Sequence, residues 1–190
     1  MTKQFILIFT MNLMSVLFGL FIIGSSKSYG AKNIASESFL SLAASLSSVF
    51  GIFRFLWSLP LQCTSFKSVY SGLIVIQIII AFGLPTIIES SNQELVESFF
   101  LVSVGLSQLC EGGHFVLAPT VLALLFGPDG GIRVFSVGFA FVGVASLINT
   151  AVLSTLESII GYAGICYLYG SISILALIIL LTSDLKKVKL

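Results

Sequence analysis

The chain has 190 residues, enough by length for one ordinary soluble domain, but apolar residues make up 57 % of it and charged residues only 9 %, with a mean hydropathy of +1.12. Soluble domains carry about 25 % charged residues because their surface must be solvated by water, so this composition excludes a water-facing globule and requires lipid as the surrounding medium. The net charge of +1 gives no basic footprint for nucleic acid.

A helix needs about 20 apolar residues to cross the hydrocarbon core. In chain order the sequence predicts six such segments: 5–24, 38–59, 69–88, 98–117 (with an option to run on to 126), 134–153 and 160–181. The first follows only Met1-Thr-Lys3 and is too long for the apolar core of a secretory signal, so it is expected to be a membrane span. Between the fourth and fifth, Gly127-Pro-Asp-Gly-Gly131 is the strongest turn signal in the chain. The runs are too long and too uniform for barrel strands, which alternate apolar and polar over about ten residues. The expected fold is therefore all-α, a single six-helix bundle over residues 1–190.

Basic residues set the expected orientation. With a cytoplasmic N-terminus, Lys3, Lys67, Arg133, Lys186, Lys187 and Lys189 flank the inner side and only Lys27 and Lys32 the outer. That bias places both termini in the cytoplasm.

Three ionisable side chains fall inside the predicted spans: Arg54, Glu111 and His114. A charge at mid-bilayer costs about 2.5–3.5 kcal/mol on insertion scales, so each is expected to face protein or water. At ~100° per residue, Ser47, Gly51, Arg54 and Ser58 share one arc of the second span, and Ser103, Ser107, Glu111, His114 and Ala118 share one arc of the fourth. Ser136, Ala140, Gly143, Ser146 and Thr150 form a small and hydroxyl-bearing stripe on the fifth. Such stripes suit close helix packing or a lined cavity. At this level two readings stand for each charge: Arg54 at headgroups or in a cavity, and Glu111 and His114 bonded to each other or exposed to a pathway. Glu111-Gly-Gly-His114 has the Glu-x-x-His spacing of carboxylate-bridged metal bundles, but those need the motif twice and the chain has a single histidine. Cys63, Cys110 and Cys166 have no ligand spacing and read as apolar filler. No nucleophile set, phosphate loop, metal site or cofactor motif is present in the sequence, so no enzymatic activity is expected.

Several segments in order resemble the C-terminal half of major facilitator superfamily transporters, nearest to the oxalate/formate antiporter and monocarboxylate transporter branch. They are Ser26-Lys-Ser-Tyr-Gly30, Phe53-Arg-Phe-Leu-Trp-Ser58 with Phe66-Lys-Ser-Val-Tyr70, Cys110-Glu-Gly-Gly-His-Phe-Val-Leu-Ala-Pro119 with Leu125-Phe-Gly127, and the small-residue run 136–146. The resemblance implies a 3+3 inverted-repeat bundle, one half of a twelve-helix fold, that works by alternating access with a second half, either a second copy or a separate chain. It implies that Arg54 grips a substrate carboxylate, with Glu111 and His114 beside it and Ser47, Gly51, Ser58, Ser107 and Gly143 lining the cavity. A proton is the implied coupling ion. Ser58 and Gln62 depart from the family's glycine and loop aspartate, and the fifth span lacks a second cation, which points to a monocarboxylate-like anion rather than a dicarboxylate. A non-transporting truncated copy or assembly subunit is the alternative.

Overall fold

The computed structural model describes residues 3–34 and 36–183, and among them it is helical with no strand. Lys186, Lys187 and Lys189, which enter the orientation argument, lie outside the described residues. The elements are α1 (Lys3–Gly30), α2 (Glu37–Ile52), α3 (Phe66–Ile88), α4 (Gln93–Phe126), α5 (Pro128–Gly138) and α6 (Ala140–Thr182), with 3-10 turns at Phe53–Ser58 and Pro60–Gln62 between α2 and α3. Five helical stretches are long and apolar enough to cross a membrane, the last running from Asp129 to Thr182.

Helix starts follow ordinary capping chemistry. The Ser36 hydroxyl accepts from the Phe39 N–H, Ser65 from Ser68 and the Asn92 side chain from Leu95, at 3.2, 3.3 and 3.2 Å. α4 stops at Gly127, whose φ of 77° takes the chain out of the helix.

Helix α6 is not one straight rod. Phe9 meets Phe141 edge-on at 6.2 Å, Asn149 donates to the Leu17 carbonyl at 3.2 Å, and Lys32 pairs with Glu157 at 3.1 Å. Its first arm therefore runs alongside α1 in the same direction. At Gly161 the backbone adopts φ 65° and ψ 179°, a region essentially reserved for glycine. Beyond it the order reverses: Tyr162 stacks on Tyr29 at 5.4 Å, Tyr169 meets Phe21 at 5.6 Å, and Leu180 joins Phe5 and Ile8 in one buried cluster. The expected break between residues 153 and 160 thus falls at Gly161, with about two helical turns more on the incoming arm.

The other pairings extend this alternation. α3 runs antiparallel to α4, with Phe99 packed at Gly83 and Leu73 at Gly113. It also runs antiparallel to the second arm of α6, through Phe82 against Tyr167 at 5.7 Å. α2 and its 3-10 extension run parallel to α4, with Phe50 at Gly105 and Arg54 at Gly112. The first and last described turns lie at the same end of the bundle, where the Lys67 ammonium donates to the carbonyls of Leu181 and Ser183 at 2.5 and 3.0 Å. Lys67 was expected only as a flanking charge. It is 8 % exposed and caps the C-terminus of α6, satisfying carbonyls that the helix itself cannot.

One expectation fails in α2. The regular helix ends at Ile52 rather than at 59, and Arg54 sits in the 3-10 run. Pro60 cannot donate to the Leu56 carbonyl, which instead accepts from the Leu59 N–H at 3.3 Å. The Trp57 indole N–H donates to the Leu109 carbonyl at 3.0 Å and holds the tightened turn against α4. Because 3-10 winding advances about 120° per residue, Ser47, Gly51, Arg54 and Ser58 do not keep one arc.

Gly161→Ala places a side chain where the backbone strongly disfavours one, at a cost of about 1–3 kcal/mol. Thermal unfolding in detergent is expected to show a clear loss of stability. Gly143→Ala, in open space within a helix, is expected to leave it unchanged or slightly raised.

Candidate functional site

The glycine pair in α4 explains how Arg54 is placed. A Cβ at Gly112 would come within 2.6 Å of the Arg54 Cβ, and one at Gly113 within 2.7 Å of Trp57 Cδ1. The absence of those carbons lets the 3-10 turn lie directly on the α4 backbone. Without a hydrophobic force between helices in lipid, such close approach is a main source of packing energy.

Beside this contact, α2 and α4 enclose an open cleft of about 460 Å³ whose lining includes Ser48, Gly51, Arg54, Gln108, Glu111 and Gly112. Arg54 is exposed in it. Among the described residues the one ion pair is Lys32 with Glu157, so no described carboxylate engages the Arg54 guanidinium. Glu111 is 4 % exposed, and neither of its carboxyl oxygens has a hydrogen-bond partner. Its carboxyl lies against Gly19 of α1, where an added Cβ would collide with Oε2. Arg54, Glu111 and Gly51 therefore do share one cleft.

His114 does not join them. It is fully buried and faces α3, with Nδ1 2.8 Å from the Tyr70 hydroxyl and Nε2 3.3 Å from Gln77 Oε1. The Tyr70 hydroxyl also contacts the Ser15 hydroxyl at 2.8 Å and Asn12 Oδ1 at 2.9 Å. This network ties α1, α3 and α4 together. Residues three apart on a helix differ in direction by about 60°, and at a three-helix junction that turns Glu111 to α1 and His114 to α3. The idea that Glu111 and His114 bond each other is replaced by separate partners. They are also not placed to ligate one metal, and among the described residues no group of three acidic, His or Cys side chains is arranged to hold one.

The remaining expected lining residues scatter. Ser47 is buried and returns its hydroxyl to the Ala44 carbonyl at 2.8 Å, while Ser58 is half-buried and donates to the Phe55 carbonyl at 2.6 Å. Ser107 is buried with an unpartnered hydroxyl, one turn before Glu111. Gly143 is exposed, with nothing near it, and is absent from the cleft. The stripe Ser103, Ser107, Glu111, His114 and Ala118 is wholly buried, so it is a packing face that carries polar groups inward. Tyr70, Gln77, Asn12, Ser15 and Gln108 were not foreseen. Asn12 and Gln77 stand as amides within apolar runs, which is the one local signal that could have drawn attention to them. A second cleft of about 400 Å³ lies at the α6 elbow, with Ser25, Ser28, Thr150, Ser154, Glu157 and Tyr162 in its wall.

No family model, curated protein or solved structure matches this chain.

Tyr70→Phe removes the hydroxyl that joins Ser15, Asn12 and His114 and is expected to destabilise the fold by about 1–3 kcal/mol, since it strands buried partners. Tyr167→Phe, at a half-exposed ring (40 % exposed), is the matched control with little expected change. Chemical or thermal unfolding of the detergent-solubilised chain compares them.

Proposed function

We propose that the chain moves a small solute bearing a carboxylate, monocarboxylate-like in size, across a membrane. It does so by alternating access together with a second six-helix half, and Arg54 is the anchor. The observation that carries this reading is an exposed guanidinium in a cleft, with its stem seated on Gly112 and no described carboxylate paired to it. A guanidinium stays charged at all physiological pH values and grips a carboxylate through two parallel hydrogen bonds. It is costly to leave unpaired within a bilayer, so a site of this kind suits an anionic ligand.

A count of six spans, with the two arms of α6 taken separately, is consistent with the break at Gly161, and the excess of basic residues in the sequence supports a cytoplasmic side for both ends. The order of motifs from Ser26 to Ser146 supports one half of a major facilitator transporter, and a cleft open on one flank suits a partner half that closes it. That partner is a second copy or a separate chain. His114 is committed to Tyr70 and Gln77, so a coupling proton falls to Glu111. The open cleft equally suits a non-transporting assembly subunit, and transport decides between the two.

Uptake of labelled small organic acids into cells or proteoliposomes is expected with the wild type. Arg54→Ala is expected to lower it by about tenfold or more, as loss of a charge-assisted bidentate contact costs at least ~1.5 kcal/mol. Uptake indifferent to Arg54→Ala sinks the anchor role. A chain that shows no uptake, and stays monomeric in native mass spectrometry, supports the subunit reading instead.

A further inference from the structure

We infer that the solute held in the α2–α4 cleft is a zwitterion, a small molecule with both a carboxylate and an ammonium group, of the amino-acid class. The inference rests on the reading of Arg54 as the carboxylate anchor and adds the second charge.

Arg54 and Glu111 are opposite charges in the wall of one cleft, separated along α4 by only the step from Glu111 to Gly112, on which Arg54 sits. Opposite charges this close ordinarily pair, yet no ion pair or hydrogen bond among the described residues joins them. The Glu111 carboxyl is 96 % buried by its 4 % exposure and has two unpartnered oxygens. A buried carboxylate without a donor is strongly disfavoured. It lies against Gly19 of α1 with no hydrogen bond to restrain it, and pairing with a ligand in the cleft requires its side chain to turn toward the cleft that its own residue lines.

Charge complementarity then decides the ligand. A simple monocarboxylate pairs with Arg54 and leaves both Glu111 oxygens without a partner. A zwitterion satisfies both groups together: its carboxylate takes the guanidinium, its ammonium takes Glu111, and the occupied cleft has no net charge. Gln108 supplies a neutral amide in the same wall. The volume of about 460 Å³ admits a molecule of amino-acid size.

Trp57 is the sole tryptophan of the chain and sits one turn from Arg54, against Gly113. Its fluorescence in the full chain, reconstituted in lipid nanodiscs, reports binding. The probes are matched pairs that differ in the amine alone: propionate with L-alanine, 4-methylvalerate with L-leucine, and 3-phenylpropionate with L-phenylalanine. In at least one pair the amino acid is expected to bind about tenfold or more tightly than its deaminated partner, the increment of one charge-assisted hydrogen bond. Glu111→Gln is expected to erase that preference without weakening the binding of the plain acid, and Arg54→Gln to weaken both. Plain acids that bind as tightly as amino acids in every pair, or more tightly as the pH falls, overturn the zwitterion and leave the anion anchor standing. No binding of either class overturns both. The wild-type pairs decide by themselves if a variant fails to fold.

Discussion

The hydroxyl of Tyr70 is the one polar atom on which three helices converge, and the rest of the bundle is arranged around keeping it and its neighbours dry and paired. Asn12 and Ser15 from α1 and His114 from α4 all reach it. In a chain this apolar, helices gain nothing by hiding hydrocarbon from hydrocarbon, so specificity comes from close packing and from polar groups that must find each other. Elsewhere the same constraint is met locally. Ser25, Ser71, Thr120, Ser146 and Thr150 each return a hydroxyl to the carbonyl four residues back, with no help from another helix. Tyr70 is different because its satisfaction fixes the register of α1, α3 and α4 together.

Against that background the exceptions stand out. Glu111 and Ser107 lie one turn apart on α4, are buried, and have side-chain oxygens without partners. Glu111 belongs to the wall of the cleft in which Arg54 is exposed. On the α3 side of α4 both ring nitrogens of His114 are partnered, while the side-chain oxygens of Glu111 and Ser107 have no partner. Two adjacent faces of one helix thus carry different duties: one locks the bundle, and the other keeps unspent hydrogen-bonding capacity for a ligand.

Much of this was legible from residue order. Apolar run length located the helices with ends that differ by several residues, as at 24 against Gly30 and 59 against Ile52, and the chain leaves α4 at Gly127, although 128–131 already belong to helix α5. Of the three charges expected to face protein or water, Glu111 and His114 are buried and Arg54 is exposed in a cleft. Two features were hidden for physical reasons. Periodicity assumes uniform winding, and Pro60 with the Trp57 anchor tightens residues 53–58 into a 3-10 turn, which changes what Arg54 and Ser58 face. Helical arcs also merge neighbours such as Glu111 and His114 that meet different helices once a third helix is packed between them. The roles of Tyr70 and Gln77 depend on α1 and α4 arriving from distant parts of the chain, and nothing local encodes that.

The elbow at Gly161 is braced by the Lys32–Glu157 pair, and the Lys32 ammonium also lies 4.5 Å above the ring of Tyr162. Both side chains of the pair are open to the surroundings, at 55 % and 37 % exposure, so their attraction is screened by dissolved ions. The interior junctions at Tyr70 are neutral hydrogen bonds and are indifferent to ionic strength. Among the described residues, salt therefore acts on the ion pair at one end: it loosens the strut between the α1 exit and the α6 bend while buried Lys67 keeps its grip on the α6 terminus.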